Sequence, residues 1–467
     1  MKGTYPLKKK LLRRFTLFSN RLQNKIFRIF ARLRIDRIIA ENFLRALPLW
    51  FASALAGGIA VLYATLFARA ETVGASIVSQ RPWLLFILTP ISFICAGYVV
   101  QRFAPLARGS GIPQITAALE ISGAGNPTGI ERLLGLRVAI VKVISSCVLV
   151  LGGGAIGREG PTIQISGAVF RFVGRILPAR WPAYSEKIMI LTGSAAGLAA
   201  AFNTPLGGIV FAIEELSRLH FNSFRTTLLT AVIIAGFSAQ MLLGPYLYLG
   251  YPNVSGTVLT LVGFVVMTAL VCGALGGIFS QFILGLIMVI RQMQTVRQRL
   301  LIAGFLGLLL ATIAFSVSPV ILGSGKDSVL RLLFRDEEIG ISLGILRFFG
   351  PIISFVAGGA GGIFAPALAT GASLGALMAN SIGLPLEQAN VIILTGMVGF
   401  LTGVTRSPFT SAILVLEMTD RHSVIFFLML AGLVSLLAAW IIDKVPLYES
   451  LKNIYVNEVL FRPRAVL

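Results

Sequence analysis

The sequence predicts an all-α integral membrane protein built from two related halves, with helices that break inside the membrane. Three observations lead to this prediction: an apolar composition, long hydrophobic runs interrupted by glycine, and an internal repeat. Of the 467 residues, 56% are apolar and 13% are charged, whereas soluble proteins average about 45–50% and about 25%. A chain this apolar cannot bury its side chains in soluble cores. A soluble enzyme, a nucleic-acid-binding domain and a disordered scaffold are therefore excluded.

Residues 1–46 are predicted to form a basic cytoplasmic segment. Between Lys2 and Arg45 there are 13 basic and two acidic residues, so much of the net charge of +21 is local. Lysine and arginine before a first span stay in the cytoplasm, and we expect both chain termini on that side. An amphipathic helix on the inner leaflet is favoured by the apolar residues among these charges, which are Leu22, Ile26, Ile29 and Phe30. No cleavable signal peptide fits, because the basic stretch is too long and has no small-residue cleavage site.

Hydrophobic runs then follow one another to the end of the second half. They lie near 47–68, 83–103, 134–155, 188–215, 227–248, 257–290, 299–322, 341–357, 388–418 and 424–442. Several exceed one span, and several polar-interrupted segments between them are too short to cross about 30 Å of hydrocarbon. The chain also contains 49 glycines. Short hydrophobic segments broken by glycine and proline indicate helices that end inside the membrane and face a cavity.

An internal repeat divides the membrane region. The sequence Ile190-Leu-Thr-Gly193 recurs 203 residues later as Ile393-Leu-Thr-Gly396. The same offset relates further pairs, which are Leu198 and Leu401, Pro205 and Pro408, and Glu214 and Glu417. Upstream, Gly109-Ser-Gly111 matches Gly323-Ser-Gly325. The prediction is a first membrane repeat at 47–250, a second at 255–445, and a short cytoplasmic carboxy-terminal segment at 446–467.

Three glycine-rich breaks are predicted to be helix amino termini. They are Gly109-Ser-Gly-Ile-Pro113, Gly157-Arg-Glu-Gly-Pro161 and Gly361-Gly-Ile-Phe-Ala-Pro366. In each, a proline suited to the first helical turn precedes helix-compatible residues. A helix amino terminus offers unpaired N–H groups and about half a positive charge, so three aimed at one point would bind an anion. The alternative is that glycine and proline only permit close helix packing.

Two acidic positions are candidates for function. Glu159 lies at the second break, between glycines, and an intramembrane carboxylate is a functional candidate by default. Glu214 and Glu215 end an apolar run. Because Glu214 repeats as Glu417 in the second half, we assign Glu214 and Glu417 to structure and leave Glu215 for function. Two roles remain open for Arg158: it is either an anion ligand or a partner in a structural ion pair.

The three breaks, in this order and spacing, resemble the signature segments of the CLC family of chloride channels and chloride/proton antiporters. The resemblance covers about 45 to 455 and extends to three further segments, Ala201-Phe-Asn-Thr-Pro-Leu206, Phe211-Ala-Ile-Glu-Glu215 and Leu416-Glu-Met-Thr-Asp420. It implies an all-helical fold of two inverted halves with tilted and broken helices. It also implies a homodimer with one pathway in each subunit.

The resemblance also implies roles for six residues. Ser110 and Tyr448 match the residues whose hydroxyls contact the central chloride. Ile363 and Phe364 match the main-chain N–H donors on the other side of that ion.

Two carboxylates complete the implied site. Glu159 matches the external gating glutamate and proton carrier, and Glu215 matches the internal proton-transfer glutamate of the antiporter branch.

The expected function is therefore a secondary active transporter that exchanges chloride for protons. The alternative is a passive voltage- or pH-gated chloride channel of the same family, whose members usually lack a carboxylate at Glu215. A nitrate-preferring relative typically has proline at Ser110, and a fluoride-selective one is expected to differ at Ser110 and near Glu159. The partners expected are chloride, protons, the lipid bilayer and a second copy of the chain, with no nucleic acid.

An enzyme, a metal site or a cofactor is not expected. The cysteines and histidines are Cys95, Cys147, Cys272, His220 and His422, and none has a partner at ligand spacing. Gly323-Ser-Gly-Lys326 looks like part of a phosphate-binding loop, but the required Ser/Thr is Asp327 and the upstream glycine is Val320.

The sequence departs from the family pattern at three places. Gln114 stands where many relatives carry glutamate, which would change outer-vestibule polarity or packing. Ala357-Gly-Gly-Ala360 replaces a Ser-Gly-x-Pro-like lead into the third break, which puts the loop geometry in question. Only 19 residues follow Tyr448, so no nucleotide-sensing domain pair is expected. We expect a prokaryotic member in a bacterial inner (plasma) membrane.

Overall fold

A computed structural model describes residues 24–26, 28–29, 32, 36–123, 125–178, 181–182, 184–216, 225–244, 246–255, 258–334 and 340–461. Across these ranges the chain forms eighteen α-helices and no β-strand, which confirms the all-α prediction. Leu22 and Phe30 of the predicted amphipathic helix lie outside the described residues. Ile26 is buried beside Leu44, whereas Ile29 is exposed.

The first half contains nine helices, in the order α1 Arg37–Gln80, α2 Leu85–Phe103, α3 Ile112–Ser122, α4 Pro127–Leu134, α5 Leu136–Leu151, α6 Glu159–Ile176, α7 Glu186–Phe202, α8 Pro205–Phe211 and α9 Arg225–Leu243. The second half contains eight, in the order α10 Val258–Arg291, α11 Val296–Ser316, α12 Lys326–Phe334, α13 Ile341–Val356, α14 Phe364–Ile382, α15 Leu386–Thr405, α16 Pro408–Thr419 and α17 Ile425–Ile442. Helix α18, Leu447–Leu460, follows. The two series correspond helix by helix, except that α4 has no counterpart among the described residues.

Eight helical segments in the described ranges are long and apolar enough to cross a membrane. They are Arg37–Gln80, Pro82–Phe103, Pro127–Leu151, Thr226–Leu243, Thr260–Arg291, Val296–Ser316, Leu386–Thr405 and His422–Ile442. Helices α13 and α16 are apolar but shorter than a span. The structure thus combines full spans with short helices, as the broken hydrophobic runs predict.

Corresponding helices in the two halves end with the same backbone conformation. Asn203 after α7 and Arg406 after α15 both have left-handed backbone, with φ of 58° and 65°. Each is followed two residues later by a proline at the first position of the next short helix. The equal spacing shows that the sequence repeat is a structural repeat.

Contacts between the halves are reciprocal. The Glu214 carboxylate accepts hydrogen bonds from the backbone N–H groups of Phe409 (3.2 Å) and Thr410 (2.7 Å) at the start of α16. The Glu417 carboxylate accepts the corresponding two hydrogen bonds, at 3.0 and 2.6 Å, from the start of α8. A two-fold relation makes each contact occur twice with the partners exchanged. The halves are therefore related by an internal pseudo-two-fold axis that passes between these short helices.

Candidate functional site

The three glycine-rich breaks meet through main-chain hydrogen bonds. The Gly109 N–H donates to the Gly359 carbonyl oxygen at 2.8 Å, and the Gly361 N–H donates to the Gly109 carbonyl oxygen at 3.1 Å. Gly157 and Gly362 exchange two hydrogen bonds, each of 2.7 Å. These bonds bring the amino termini of α3, α6 and α14 together, although the breaks are up to about 250 residues apart in the chain.

Glycine is required where α3 meets α6. Gly111 has a φ of 117°, which L side chains rarely adopt, and a Cβ there would lie 2.5 Å from the Gly160 carbonyl oxygen. A Cβ on Gly160 would in turn overlap the Ser110 hydroxyl. The motif glycines therefore let two helix ends approach more closely than any other residue would.

Two hydroxyls are buried at this meeting point. Ser110 and Tyr448 are each 1% exposed, their hydroxyls are near neighbours, and neither has a hydrogen-bond partner in the part of the chain described. The Tyr448 ring stacks on Phe364 with ring centroids 6.3 Å apart and an interplanar angle of 6°. A buried polar group without a partner costs free energy, so this pair marks a place that a polar ligand or ion would complete.

Main-chain donors face the same region from α14. Ile363 precedes the helix and Phe364 opens it, and both are buried. The N–H groups of a first helical turn have no intrahelical acceptor and carry the positive end of the helix dipole. Helix amino termini of this kind favour an anion.

Glu159 is the first residue of α6 and is 1% exposed. Its Oε1 accepts a long hydrogen bond of 3.5 Å from the Tyr248 hydroxyl, and its Oε2 lies beside Gly157. The carboxylate thus sits among the helix amino termini and not on a helix face packed against apolar residues. Sequence reasoning missed Tyr248. Nothing in the segment around it marks the residue, because its partner is 89 positions away.

Glu215 lies on a π-helical turn, Ala212–Leu216, that continues α8. The turn is of a kind often found at functional sites. Glu215 is half-buried and accepts a hydrogen bond of 2.6 Å from the Ser407 hydroxyl. The neighbouring Glu214 is instead held by α16, in agreement with its assignment to structure.

A cation that sequence reasoning missed supports the first Gly-Ser-Gly turn. Lys142 of α5 is fully buried, and its Nζ donates to the Gly109 carbonyl oxygen at 2.9 Å. In the other half, Arg347 of α13 donates through Nη1 to the Leu322 and Gly323 carbonyl oxygens, both at 3.2 Å. A lone cation inside an apolar run was the available signal in both cases.

Helix α18 is fixed beside α3 by a second cation. The Lys452 Nζ lies 2.7 Å from the Glu120 carboxylate of α3 and 2.5 Å from the Glu449 carboxylate. Burial lowers the pKa of Lys452, but these two carboxylates outweigh burial, so the pKa lies above its ordinary value. Glu449 belongs to α18 itself, so it is the Glu120 ion pair that joins the two helices and helps to hold Tyr448, one turn before Lys452, near Ser110.

The structure also shows the surroundings of Arg158 and Gln114, two residues whose roles the sequence leaves open. Arg158 forms no ion pair within the described ranges, and it lines a cavity of about 580 Å³ with Arg69 and Tyr246. Gln114 is buried and donates to the Leu106 (3.1 Å) and Arg108 (2.6 Å) carbonyl oxygens, so its effect is on packing and not on vestibule polarity.

Two further motif segments are tied to neighbours. The Ser324 N–H donates to the Glu71 carboxylate at 2.6 Å, so an acidic side chain occupies the backbone where a phosphate-binding loop would hold phosphate. The Ala360 N–H donates to the Ser145 hydroxyl at 3.0 Å, which fixes the unusual lead into the third break. Among the described residues, no cluster of three histidine, cysteine or acidic side chains could hold a metal.

The fold and the site together define a membrane protein of two repeats whose broken helices meet with their amino termini at the interface between the repeats. The chain belongs to the voltage-gated chloride channel (CLC) family, whose family model matches residues 91–440.

Similar proteins include bacterial transporters. The chain is 30% identical, over 93% of its length and 95% of the relative, to the H(+)/Cl(-) exchange transporter ClcA of Cronobacter sakazakii. Its fold matches the crystal structure of a slow cyanobacterial Cl-/H+ antiporter, with a TM-score of 0.75 at 22% identity, covering 89% of this chain and 98% of that one. It also matches a CLC-type fluoride/proton antiporter, with a TM-score of 0.73 at 22% identity, covering 88% and 98%.

Proposed function

We propose that this protein is a secondary active transporter that exchanges chloride for protons across a membrane. The observation that carries the proposal is the presence of two carboxylates: the buried Glu159, the first residue of α6 at the cluster of helix amino termini, and Glu215, on the π-helical turn after α8, where it is hydrogen-bonded to Ser407. A passive channel needs a gate but no second carboxylate, so Glu215 favours exchange. The exchange activity in the name of the Cronobacter sakazakii relative also supports this function.

Chloride would bind between α3, α14 and α18. The Ser110 and Tyr448 hydroxyls would donate from one side, and the N–H groups of Ile363 and Phe364 from the other. Support comes from the burial of both hydroxyls without a partner in the described ranges, and from the helix dipole of α14. The anion is held by partial charges alone, so it is bound without a full counter-charge and can leave again.

Glu159 would be both gate and proton carrier. When it is charged, its carboxylate competes with chloride for the same helix amino termini and closes the path. When it is protonated, it loses that attraction and an anion takes its place. Glu215 would deliver protons from the other side, where the Ser407 hydroxyl orients its carboxylate.

The protein would act as a homodimer in a bacterial inner membrane, with both termini in the cytoplasm. Helices α8, α9, α16 and α17 expose large apolar side chains. On α17 these form one stripe, with Phe426 83% exposed and Leu437 64% exposed. Such a face fits a second copy of the chain, and the rest of the apolar surface fits lipid.

The experiment that tests the function uses purified protein in liposomes with an imposed chloride gradient and no initial pH gradient. We expect chloride moving down its gradient to drive protons in the opposite direction until a pH difference is established. Chloride flux without uphill proton movement would identify a channel. Proton movement driven by fluoride but not by chloride would change the substrate and keep the exchange mechanism.

A further inference from the structure

A second cavity, of about 850 Å³, lies where α2 ends, α5 begins, α10 ends and α11 begins, with α18 on one side. Ser110, Tyr448, Glu159 and Glu215 are not among its lining residues. Six arginines line it, which are Arg102, Arg108, Arg132, Arg137, Arg291 and Arg299. Only two carboxylates, Glu131 and Glu458, line it as well.

The carboxylates do not neutralise this charge. Glu458 contacts Arg108 at 2.6 Å and Arg291 at 3.3 Å. Glu131 instead contacts Arg171 and Arg175, two arginines that do not line the cavity. The cavity therefore keeps a positive excess that an anionic group would complement.

Two of the arginines are exposed and positioned together. The guanidinium carbons of Arg102 and Arg137 each lie 6.0 Å from the centre of the Phe103 ring. Both side chains are exposed, and in the part of the chain described neither forms an ion pair with a carboxylate. Two guanidinium groups therefore lie next to one aromatic ring in the lining of the cavity.

The other side of the cavity is apolar and continuous with the surface that faces lipid. Ile287, Ile290 and Ile302 line it on α10 and α11, both long enough to span the membrane. Leu301 and Phe305, which flank Ile302 along α11, are 62% and 64% exposed. The cavity lies at the ends of spans, which is the depth of lipid headgroups.

We propose that this cavity binds an anionic phospholipid, with its phosphate at Arg102 and Arg137 and its acyl chains along α10 and α11. Guanidinium groups bind phosphate oxygens bidentately, and basic pockets between spanning helices suit anionic headgroups. A free phosphate would share the guanidinium contacts but would leave the apolar wall uncovered. This proposal does not rest on the proposed exchange function, although Gly109 of the first break also lines the cavity.

The test uses full-length protein in a neutral detergent with phosphatidylcholine, to which dioleoylphosphatidylglycerol is added. Native mass spectrometry counts the retained lipid, and a parallel arm adds inorganic phosphate as competitor. We expect one tightly held phosphatidylglycerol per subunit that millimolar phosphate does not displace. The double variant Arg102→Gln/Arg137→Gln should weaken retention about 30-fold, about fivefold for each arginine.

A matched control removes the same charge away from the cavity. Arg69→Gln/Arg81→Gln replaces two exposed arginines, one on α1 and one between α1 and α2, and should leave retention unchanged. Equal retention by wild type and by the Arg102/Arg137 variant would overturn the proposal. So would displacement by inorganic phosphate, which would identify a free-anion site. Loss of chloride flux in phosphatidylcholine vesicles with unchanged lipid retention would assign the arginines to ion entry instead.

Discussion

At the scale of single residues, Glu159 gives the sharpest test of the proposed mechanism. Glu159→Gln imitates the protonated side chain, and Glu159→Ala removes the carboxylate. Both variants should keep chloride flux and lose proton coupling completely, because no proton can be carried. Wild-type flux should rise as pH falls, since protonation opens the path, whereas both variants should be almost independent of pH. Flux assays in liposomes measure each quantity, and a Glu159→Gln protein that still moves protons uphill would contradict the mechanism.

The Ser110 and Tyr448 hydroxyls lead to a separate prediction about anion selectivity and proton coupling. Ser110→Pro removes a hydroxyl donor and should shift the preference from chloride toward nitrate. Tyr448→Ala removes the ring stacked on Phe364 and should loosen coupling, so that more chloride moves per proton. Anion competition and proton-to-chloride ratios report these effects. If neither selectivity nor coupling changes, the anion site lies elsewhere.

The site residues differ in how far the sequence could predict them. Ser110, Glu159, Ile363 and Phe364 stand inside short motifs whose glycines and prolines are visible locally. Tyr248 could not be predicted, because its contact with Glu159 depends on how distant segments fold together.

At the scale of helices, the adjacent pair Glu214 and Glu215 separates structure from function. Glu215→Gln keeps the shape but carries no proton, so it should abolish proton movement and leave some chloride flux. Glu214→Gln weakens two charge-assisted hydrogen bonds to α16. It should lower the free energy of unfolding by about 1–3 kcal/mol and leave the coupling of protons to chloride intact. Proton flux and thermal denaturation of both variants test this assignment; loss of proton movement in Glu214→Gln alone would reverse it.

Helix α18 makes a prediction about positioning. Lys452→Met removes the ion pair with Glu120 that joins α18 to α3, so Tyr448 should lose its place beside Ser110. We expect a loss of about 1 kcal/mol in stability, because Glu120 remains half-exposed to solvent, and a lower proton-to-chloride ratio. Lys444→Met, at an exposed lysine, is the matched control. Unchanged coupling in Lys452→Met would mean that α18 is positioned by its apolar contacts.

Helix boundaries show what hydrophobicity alone cannot reveal. The runs 188–215 and 388–418 each contain two helices, separated at Asn203 and Arg406 by a left-handed residue. Each break has only two or three polar residues, Asn203-Thr204 and Thr405-Arg406-Ser407, with apolar residues on both sides. Hydropathy averaged over a span therefore does not show the change of direction. The helix amino termini at α3, α6 and α14 were predictable because glycine and proline mark them.

At the scale of the whole molecule, the proposed homodimer can be separated from ordinary lipid exposure. Phe426→Gln/Leu437→Gln places polar groups in the stripe of α17 and should convert dimers to monomers in detergent. Leu301→Gln/Phe305→Gln makes an equal change on α11 and should leave the dimer intact. Light scattering with correction for detergent measures both masses. A dimer that persists in the first variant would place the subunit interface on another face.

The hydrogen bonds between Gly157 and Gly362 have a mechanical consequence. They join the two halves at the proposed ion site, and the Glu214 and Glu417 contacts join them again at α8 and α16. Transporters that rock one half against the other need an interface that opens freely around a hinge. In this protein, such rocking would break main-chain hydrogen bonds at the proposed ion site. In the proposed exchange mechanism, access would therefore alternate by the swing of a side chain within a rigid frame.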